Sequence, residues 1–523
     1  MTSPTDPNCH VNRRTMMRGA ATLGLGAAAT TMVHTPATAA PKKGGHLVFA
    51  IGHGDSTDTL DPGHVNNGFL AATHFTITNT LTEVAADGSL SPKLAESWAG
   101  TNEAARWTFK LRKGVTFHNG KDVTAADVIA SINHHRGEDS KSSAKSMVDP
   151  ITDIRADDPH TVTFDLTAGD ADFPFKLSIY SLPIYPATES GSLDWASGVG
   201  CGGYVLKEME PGVKARFERN PNYWQGGDRA HFDSAELLSV LDVSARQNAL
   251  ISGEVHGMDR VDLKTASRLA QRQGVVVEEI AGKTHYTFPM RTDMAPFDDA
   301  NVRRALKYAL DREAMLSTVL SGHGTIGNDH PISAAYAFAA DLPQTSYDPD
   351  KSKHYLSKAG VSSLSIELSA ADAAFAGAVD AAVIFREHAA KAGIDLKVVR
   401  EPNDGYWSNV WMKKAFCACY WPGTPTVDGI FTQAYSAGAS WNDTYWNHDR
   451  FNALLIQARA ELDSAKRATL YHEMQALTRD EGGVIVPLFA NDVFATSDKI
   501  GHGDLANNLE IDGRKFIERW WFA

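Results

Sequence analysis

From about residue 44 the chain alternates between two hydrophobic periods. A glycine pair, Gly44 and Gly45, leads into an apolar run at 47–51 that predicts a first strand. Residues 107–112 and 162–166 alternate apolar and polar side chains, the pattern of half-buried strands, and the second follows a turn at 157–160. Between them, 122–133 predicts a helix with Thr124 as its N-cap. A clearer helix opens at Asp298 and Asp299. Val302, Leu306, Ala309 and Leu310 form its apolar face, with Arg303, Arg304 and Lys307 off that face. A strand at 284–290 precedes it. Another helix, 373–392, stops at Gly393, a natural C′ residue, and a strand at 394–398 follows. Two more helices cover 450–462 and 466–479. Strands and helices interleave throughout, which predicts an α/β protein.

Size and charge narrow this picture. A chain of 523 residues is too long for one core, so two or more domains are expected. With 43% apolar and 22% charged residues it belongs to no fibrous, disordered or membrane-embedded class. The formal charge of −13, without basic runs, argues against nucleic acid as a partner and favours solubility. The N-terminus reads as an export signal. Arg13 and Arg14 precede an uncharged Ala/Gly/Leu-rich stretch at 19–33, and Ala37, Thr38 and Ala39 form a small-x-small cleavage site. The arginine pair and mild hydrophobicity predict the twin-arginine route, with 1–39 removed and no lipid anchor. Losing that segment removes three arginines and one aspartate, so the charge falls from −13 to −15. No later stretch is long and apolar enough to span a bilayer.

Little in the chain points to catalysis. Lys283 and Thr284 complete a GKT triplet, but the upstream glycine of a phosphate loop is missing. His134 and His135 are adjacent, hence about 100° apart on a helix, and form no ready chelate. No metal site and no cofactor are expected. Cys9 lies in the removed segment. Of the others, Cys201 pairs with Cys417 or Cys419, or all three stay buried thiols. Aromatic residues are more suggestive. Tyr406, Trp407, Trp411, Tyr420, Trp421, Trp441, Tyr445 and Trp446 crowd one stretch, and Tyr and Trp suit pockets for partly polar ligands as well as cores. A Pro/Gly loop beside Trp421 favours a pocket position for it.

Several stretches together resemble the extracellular solute-binding proteins of peptide- and nickel-type ABC transporters, solute-binding family 5. They are LAESW at 94–98, WTFKLRKGVTFHNG at 107–120, TAADV at 124–128, GCGGY at 200–204, ERNPNYW at 218–224, and PFDDANVRRAL at 296–306 with DRE at 311–313. The resemblance implies a two-lobed periplasmic-binding-protein fold (type II, cluster C) with an extra subdomain. Lobe I would comprise 40–80, 184–285 and 488–523, the inserted subdomain 81–183, and lobe II 286–487. It further implies a monomer in the periplasm that is not an enzyme, closes over a small ligand, and passes it to an inner-membrane ABC permease.

Two departures from the family pattern bear on the ligand. Peptide-binding relatives carry an Asp that holds the peptide's amino terminus in a loop that here reads YWPGTPTVD at 420–428, and Thr424 stands at that position. Asp428 matches a later Asp of the loop, and either meets a ligand amine or caps a helix starting near Gly429. Where many relatives have Asn after the strand at Tyr286, this chain has Arg291, either a carboxylate partner or a surface residue. The expected ligand-binding set is Tyr286, Arg291, Tyr406, Trp407, Trp421, Thr424, Asp428, Trp441 and Asn442. The ligand is a peptide or related solute. An oligosaccharide, an opine-like compound or a metal chelate remains open, and a secreted hydrolase would need a nucleophile or metal motif that the chain lacks.

Overall fold

The computed structural model of the protein describes residues 41–402, 406–439 and 441–523. The expected export signal, with Cys9, Arg13, Arg14 and Ala37 to Ala39, lies outside them.

A nine-stranded sheet runs through the molecule. Its order is Cys419–Trp421, Val275–Pro289, Val484–Ser497, Gly257–Met258, His46–Ile51, Ser234–Ser239, Lys214–Arg219 and Tyr204–Glu210, with Gly324–Ile326 also on Val484–Ser497. His46–Ile51 is parallel to both its neighbours, and the other pairs are antiparallel. Its apolar run is explained by burial: Leu47, Phe49, Ala50 and Ile51 are all enclosed, on both faces.

The two long strands join the two ends of this sheet. Val275 to Ile280 pair with Asp492 to Ser497, the register then shifts, and Thr284 to Pro289 pair with Val484 to Ala490. At the crossing a Cβ on Gly282 would lie 2.0 Å from the Ala490 carbonyl oxygen, so only glycine lets the strands approach. Beyond the crossing on one side, a first lobe packs Leu47, Phe49, Leu237, Phe494 and Trp520. On the other side the sheet separates two cores of a second lobe. Phe288, Ile485 and Leu488 face one, and Trp421, Val486 and Phe489 face the other. The first of these is completed by Leu364–Ala370 and Ile394–Arg400, a parallel pair bridged by the helix Ala378–Lys391. That helix starts later than expected, behind Gly377 at φ +83°, and ends before Gly393 as expected.

A separate four-stranded antiparallel sheet, Ala95–Thr101, Arg106–Leu111, Thr161–Leu166 and Ile151–Asp158, has its own core with the helix Ala125–Asn133. Thr124 caps that helix, and its backbone N–H donates to Asp127 at 2.8 Å. A buried charge network ties Glu83 and Lys93 to the C-terminal residues 515–519. Lys93 lies 2.5 Å from Glu518 and 3.0 Å from Glu83, which also takes Lys515 and Arg519, each at 2.9 Å. These three cations and two anions compensate one another in the interior.

Two sequence expectations need correction. Arg303 and Lys307 are buried rather than off the packed face of Ala300–Tyr308. Lys307 donates to the carbonyls of Arg479 and Gly482 at 2.7 and 3.0 Å, and Arg303 to that of Glu481 at 2.5 Å. Both serve the orphan carbonyls at the end of the helix Ser464–Glu481, a packing need that periodicity does not reveal. The optional disulfide does not form: Cys201, Cys417 and Cys419 are free and buried, Cys201 in the core of the four-stranded unit and Cys417 in that of the second lobe.

Candidate functional site

The aromatic stretch folds into one connected cluster on the second lobe. Cys419–Trp421 pairs with Val275–Pro289, placing Trp421 opposite His285 and Tyr420 opposite Tyr286. Adjacent strand residues point to opposite faces, so Trp421 turns into the core, 3% exposed, and Tyr420 turns outward, 41% exposed. Trp411 touches Trp407, Trp421 and Trp441 at centroid distances of 5.8, 6.2 and 6.2 Å, and Trp407 meets Tyr420 edge-on at 5.8 Å. Trp407 and Trp441 are 41% and 49% exposed. A supported sheet of rings therefore faces solvent, with Trp411 and Trp421 beneath it.

Asp443, absent from the expected set, holds the cluster from below. Its buried carboxylate accepts the Trp411 indole N–H at 3.1 Å and is hydrogen-bonded to Trp421 and Cys419. Burial pushes its pKa up to about 6, against those hydrogen bonds. Its sequence signal is slight, a single acid inside the aromatic segment WNDTYW at 441–446.

The remaining expected residues serve different parts of the fold. Tyr406 is buried, meets Trp407 edge-on at 5.6 Å, and donates to the Ala418 carbonyl at 2.7 Å. Asn442 is buried and shapes the turn beneath Trp441, donating to the carbonyl of Trp446 at 2.8 Å. Tyr286 stacks on Phe375, centroids 4.1 Å apart and 7° from parallel. Arg291 is engaged by Asp293 at 2.7 and 3.0 Å, donates to the Met412 carbonyl at 3.1 Å, and lies 4.0 Å over the Tyr445 ring. The structure thus brings Trp407, Trp421 and Trp441 together and sets Arg291 beside Tyr445 at the end of the same segment.

Asp428 meets an arginine of the protein itself. It lies within the short helix Val427–Ile430, buried, with its carboxylate 3.2 Å from Arg459. Burial raises its pKa to about 6 against the pull of Arg459, with Asp172 and Asp170 adding to the rise. The cap of that helix is Thr426, whose hydroxyl accepts from Gly429 N–H at 3.3 Å, so the capping expectation for Asp428 is corrected. Thr424 donates its hydroxyl to the Thr426 carbonyl at 2.8 Å, and its backbone N–H reaches Tyr336 Oη at 3.2 Å.

The loop at 422–426 lies directly against the strand crossing. A Cβ on Gly423 would come 2.2 Å from Lys283 Cβ, so glycine is required there. Lys283 Nζ donates to the Pro425 carbonyl at 3.3 Å and sits 4.6 Å over the Tyr336 ring. On the first-lobe side the crossing is flanked by Asp492, which accepts from Ile511 N–H at 2.6 Å. Nearby, Asp259 is shared by Arg246 and Arg514 at 3.4 and 3.5 Å.

The four-stranded unit touches the second lobe on the same side as Asp428. Ala171 N–H donates to the Arg459 carbonyl at 2.7 Å, and Asp172 pairs with Arg467 at 2.7 Å, both side chains buried. A groove of about 820 Å³ opens along this seam, lined by Glu103, Gln457, Glu461, Leu462 and Lys466. None of the clustered aromatic residues lines it. Among the described residues no group of three or more His, Cys, Asp or Glu is placed to hold a metal, and no helix is long and apolar enough to cross a membrane.

Comparison with known proteins accords with this geometry. The family model for the middle region of bacterial extracellular solute-binding proteins, family 5, matches residues 89–443. The dipeptide-binding protein of Escherichia coli (strain K12) is 25% identical over 437 residues, 76% of this chain and 80% of that protein. Among solved structures, HbpA2 from Haemophilus parasuis superposes with a TM-score of 0.82 at 20% identity, covering 92% of this chain and 100% of that one. AgaA from A. tumefaciens R10, in complex with agropinic acid, gives 0.72 at 24% identity, covering 92% and 99%.

Proposed function

Because the chain belongs to the bacterial extracellular solute-binding proteins, family 5, we propose that it captures a peptide or related small polar solute between its lobes and hands it to an inner-membrane ABC permease. The family is one of binding proteins rather than enzymes. One observation carries the reading of this chain: the two lobes are joined through paired strands that shift register at Gly282, and an aromatic face and the loop at 422–426 lie on the second-lobe side of that joint. A joint of two crossing strands permits hinge closure, and closure over Trp407, Trp441 and Tyr420 removes ligand and rings from water together. The domain limits of 40–80, 184–285 and 488–523, of 81–183, and of 286–487 belong to this reading, as does action as a monomer. So does export to the periplasm by a twin-arginine signal, on the strength of Arg13, Arg14 and Ala37 to Ala39.

The test is capture. Protein purified from its own cell envelope, denatured and analysed by mass spectrometry, should release a stoichiometric small solute. Titrating that solute back should shift small-angle scattering towards a more compact particle. A protein that releases nothing and keeps one shape with every solute tried would refute the reading. Changing Arg13 and Arg14 together to lysine should strand precursor in the cytoplasm.

A further inference from the structure

The strand crossing holds a cation that has no counter-charge among the described residues. Lys283 is 6% exposed. Its polar partner is the neutral Pro425 carbonyl at 3.3 Å, and the Tyr336 ring lies beneath its ammonium at 4.6 Å. Among the described residues no carboxylate lies within 4.0 Å of it, in contrast to the buried Lys93 and Lys515, each with a glutamate at 3.0 Å or less. Burial alone brings its pKa down to about 8, so it is still mostly charged at neutral pH.

Its surroundings on the strand share this unused capacity. Residues 283, 285 and 287 lie on one face of Val275–Pro289, since side chains alternate. His285 Nε2 and Thr287 Oγ1 are buried without a hydrogen-bond partner, and so is the hydroxyl of Tyr435. Buried polar groups are ordinarily satisfied, and a run of unsatisfied ones behind an unpaired ammonium marks a place where something else completes the bonding. The position is the right one for a ligand, because Lys283 sits at the joint between the lobes and under the loop bearing Thr424.

We propose that Lys283 is an anion-binding residue of the cleft, and that the solute carries a carboxylate or comparable acidic oxygen group that pairs with it. This rests on the reading of the chain as a solute-binding protein. An ammonium taken out of water gains most from an opposite charge, and the four-carbon stem of lysine lets Nζ leave the Pro425 carbonyl to meet one. Asp428 and Arg291 already have protein partners of opposite charge, so neither competes for this role.

The experiment is titration calorimetry with L-alanyl-L-alanine, with agropinic acid, and with the carboxamide of each, on the wild type and on Lys283→Met. We expect at least tenfold tighter binding of one acid over its amide by the wild type, and loss of that preference in Lys283→Met. The apo melting temperature of Lys283→Met should be unchanged or higher, because an uncompensated buried charge has gone. Equal binding of acid and amide by the wild type overturns the proposal, as does an acid preference that survives in Lys283→Met. A lowered apo melting temperature with intact binding does so too, since Lys283 is then a strap to Pro425. If neither acid binds, the co-purified solute decides: an acidic one that Lys283→Met fails to retain supports the proposal, and a neutral or cationic one overturns it while leaving solute binding intact. If no solute is bound at all, both readings fall.

Discussion

Asp443 and the rings above it separate fold stability from ligand affinity at the level of single residues. The Asp443 pKa is raised in the folded state from 3.8 to about 6, chiefly by burial. For a raised acid, the stabilising contribution is complete below pH 3.8, where both states are protonated, and is lost as pH rises through 6. At about 1.4 kcal/mol per unit the swing is about 3 kcal/mol. Asp443→Asn, neutral at all pH, should therefore gain stability relative to wild type between pH 4 and pH 7, as urea unfolding at both values would measure. A constant difference would contradict the shifted pKa. Asp428 shifts in the same direction, so the variant should flatten only part of the profile. Trp441 and Trp421 should separate in the opposite sense. Trp441→Ala removes a half-exposed ring, and should cost affinity by about 2 kcal/mol with little change in melting temperature. Trp421→Ala empties a core position and should cost about 3–5 kcal/mol of stability. The sequence favoured Trp421 for the pocket because of the Pro/Gly loop beside it, since composition cannot show which face of a strand a ring occupies. It passed over Asp443, because a lone acid becomes a support only where tertiary packing lays two indoles against it.

At the scale of elements, the paired strands at the crossing are the part most sensitive to small changes. The Gly282 position meets the Ala490 carbonyl oxygen at 2.0 Å for any Cβ, so Gly282→Ala must push the strands apart. A loss of about 1–3 kcal/mol is expected from the overpacking. Because the strain falls at the joint, ligand affinity should fall as well, whereas Gly360→Ala, an exposed turn at φ +70° with open space around it, should leave affinity unchanged. Calorimetry with the co-purified solute on both variants tests this. Several of the longer helices were legible from apolar spacing and caps, as at Thr124 and Asp299, because those signals are local. The burial of Arg303 and Lys307 was not, because their partners are carbonyls about 175 residues away.

For the whole molecule, a buried ion pair holds the seam between the four-stranded unit and the second lobe. Asp172 and Arg467 are both buried there, and removing one partner of such a pair typically costs about 3–5 kcal/mol. Arg467→Met should shift the unliganded protein to a larger radius of gyration by small-angle scattering and weaken binding. Adding Asp172→Asn should recover part of that loss, since the stranded carboxylate goes with it. An unchanged radius in Arg467→Met would mean that the backbone contact from Ala171 to Arg459 holds the seam alone.

By itself the sequence determined the α/β class, the main helices and their caps, and the ordered landmarks from 94 to 313 that carry the family resemblance. All of these depend on residues near one another in the chain. Only the tertiary structure decided that Asp428 faces Arg459, that Thr426 is the cap, and that Lys283 lies uncompensated beneath the loop at 422–426. A buried charge takes its character from whatever opposes it, and here the opposing group comes from another element or, for Lys283, is missing among the described residues.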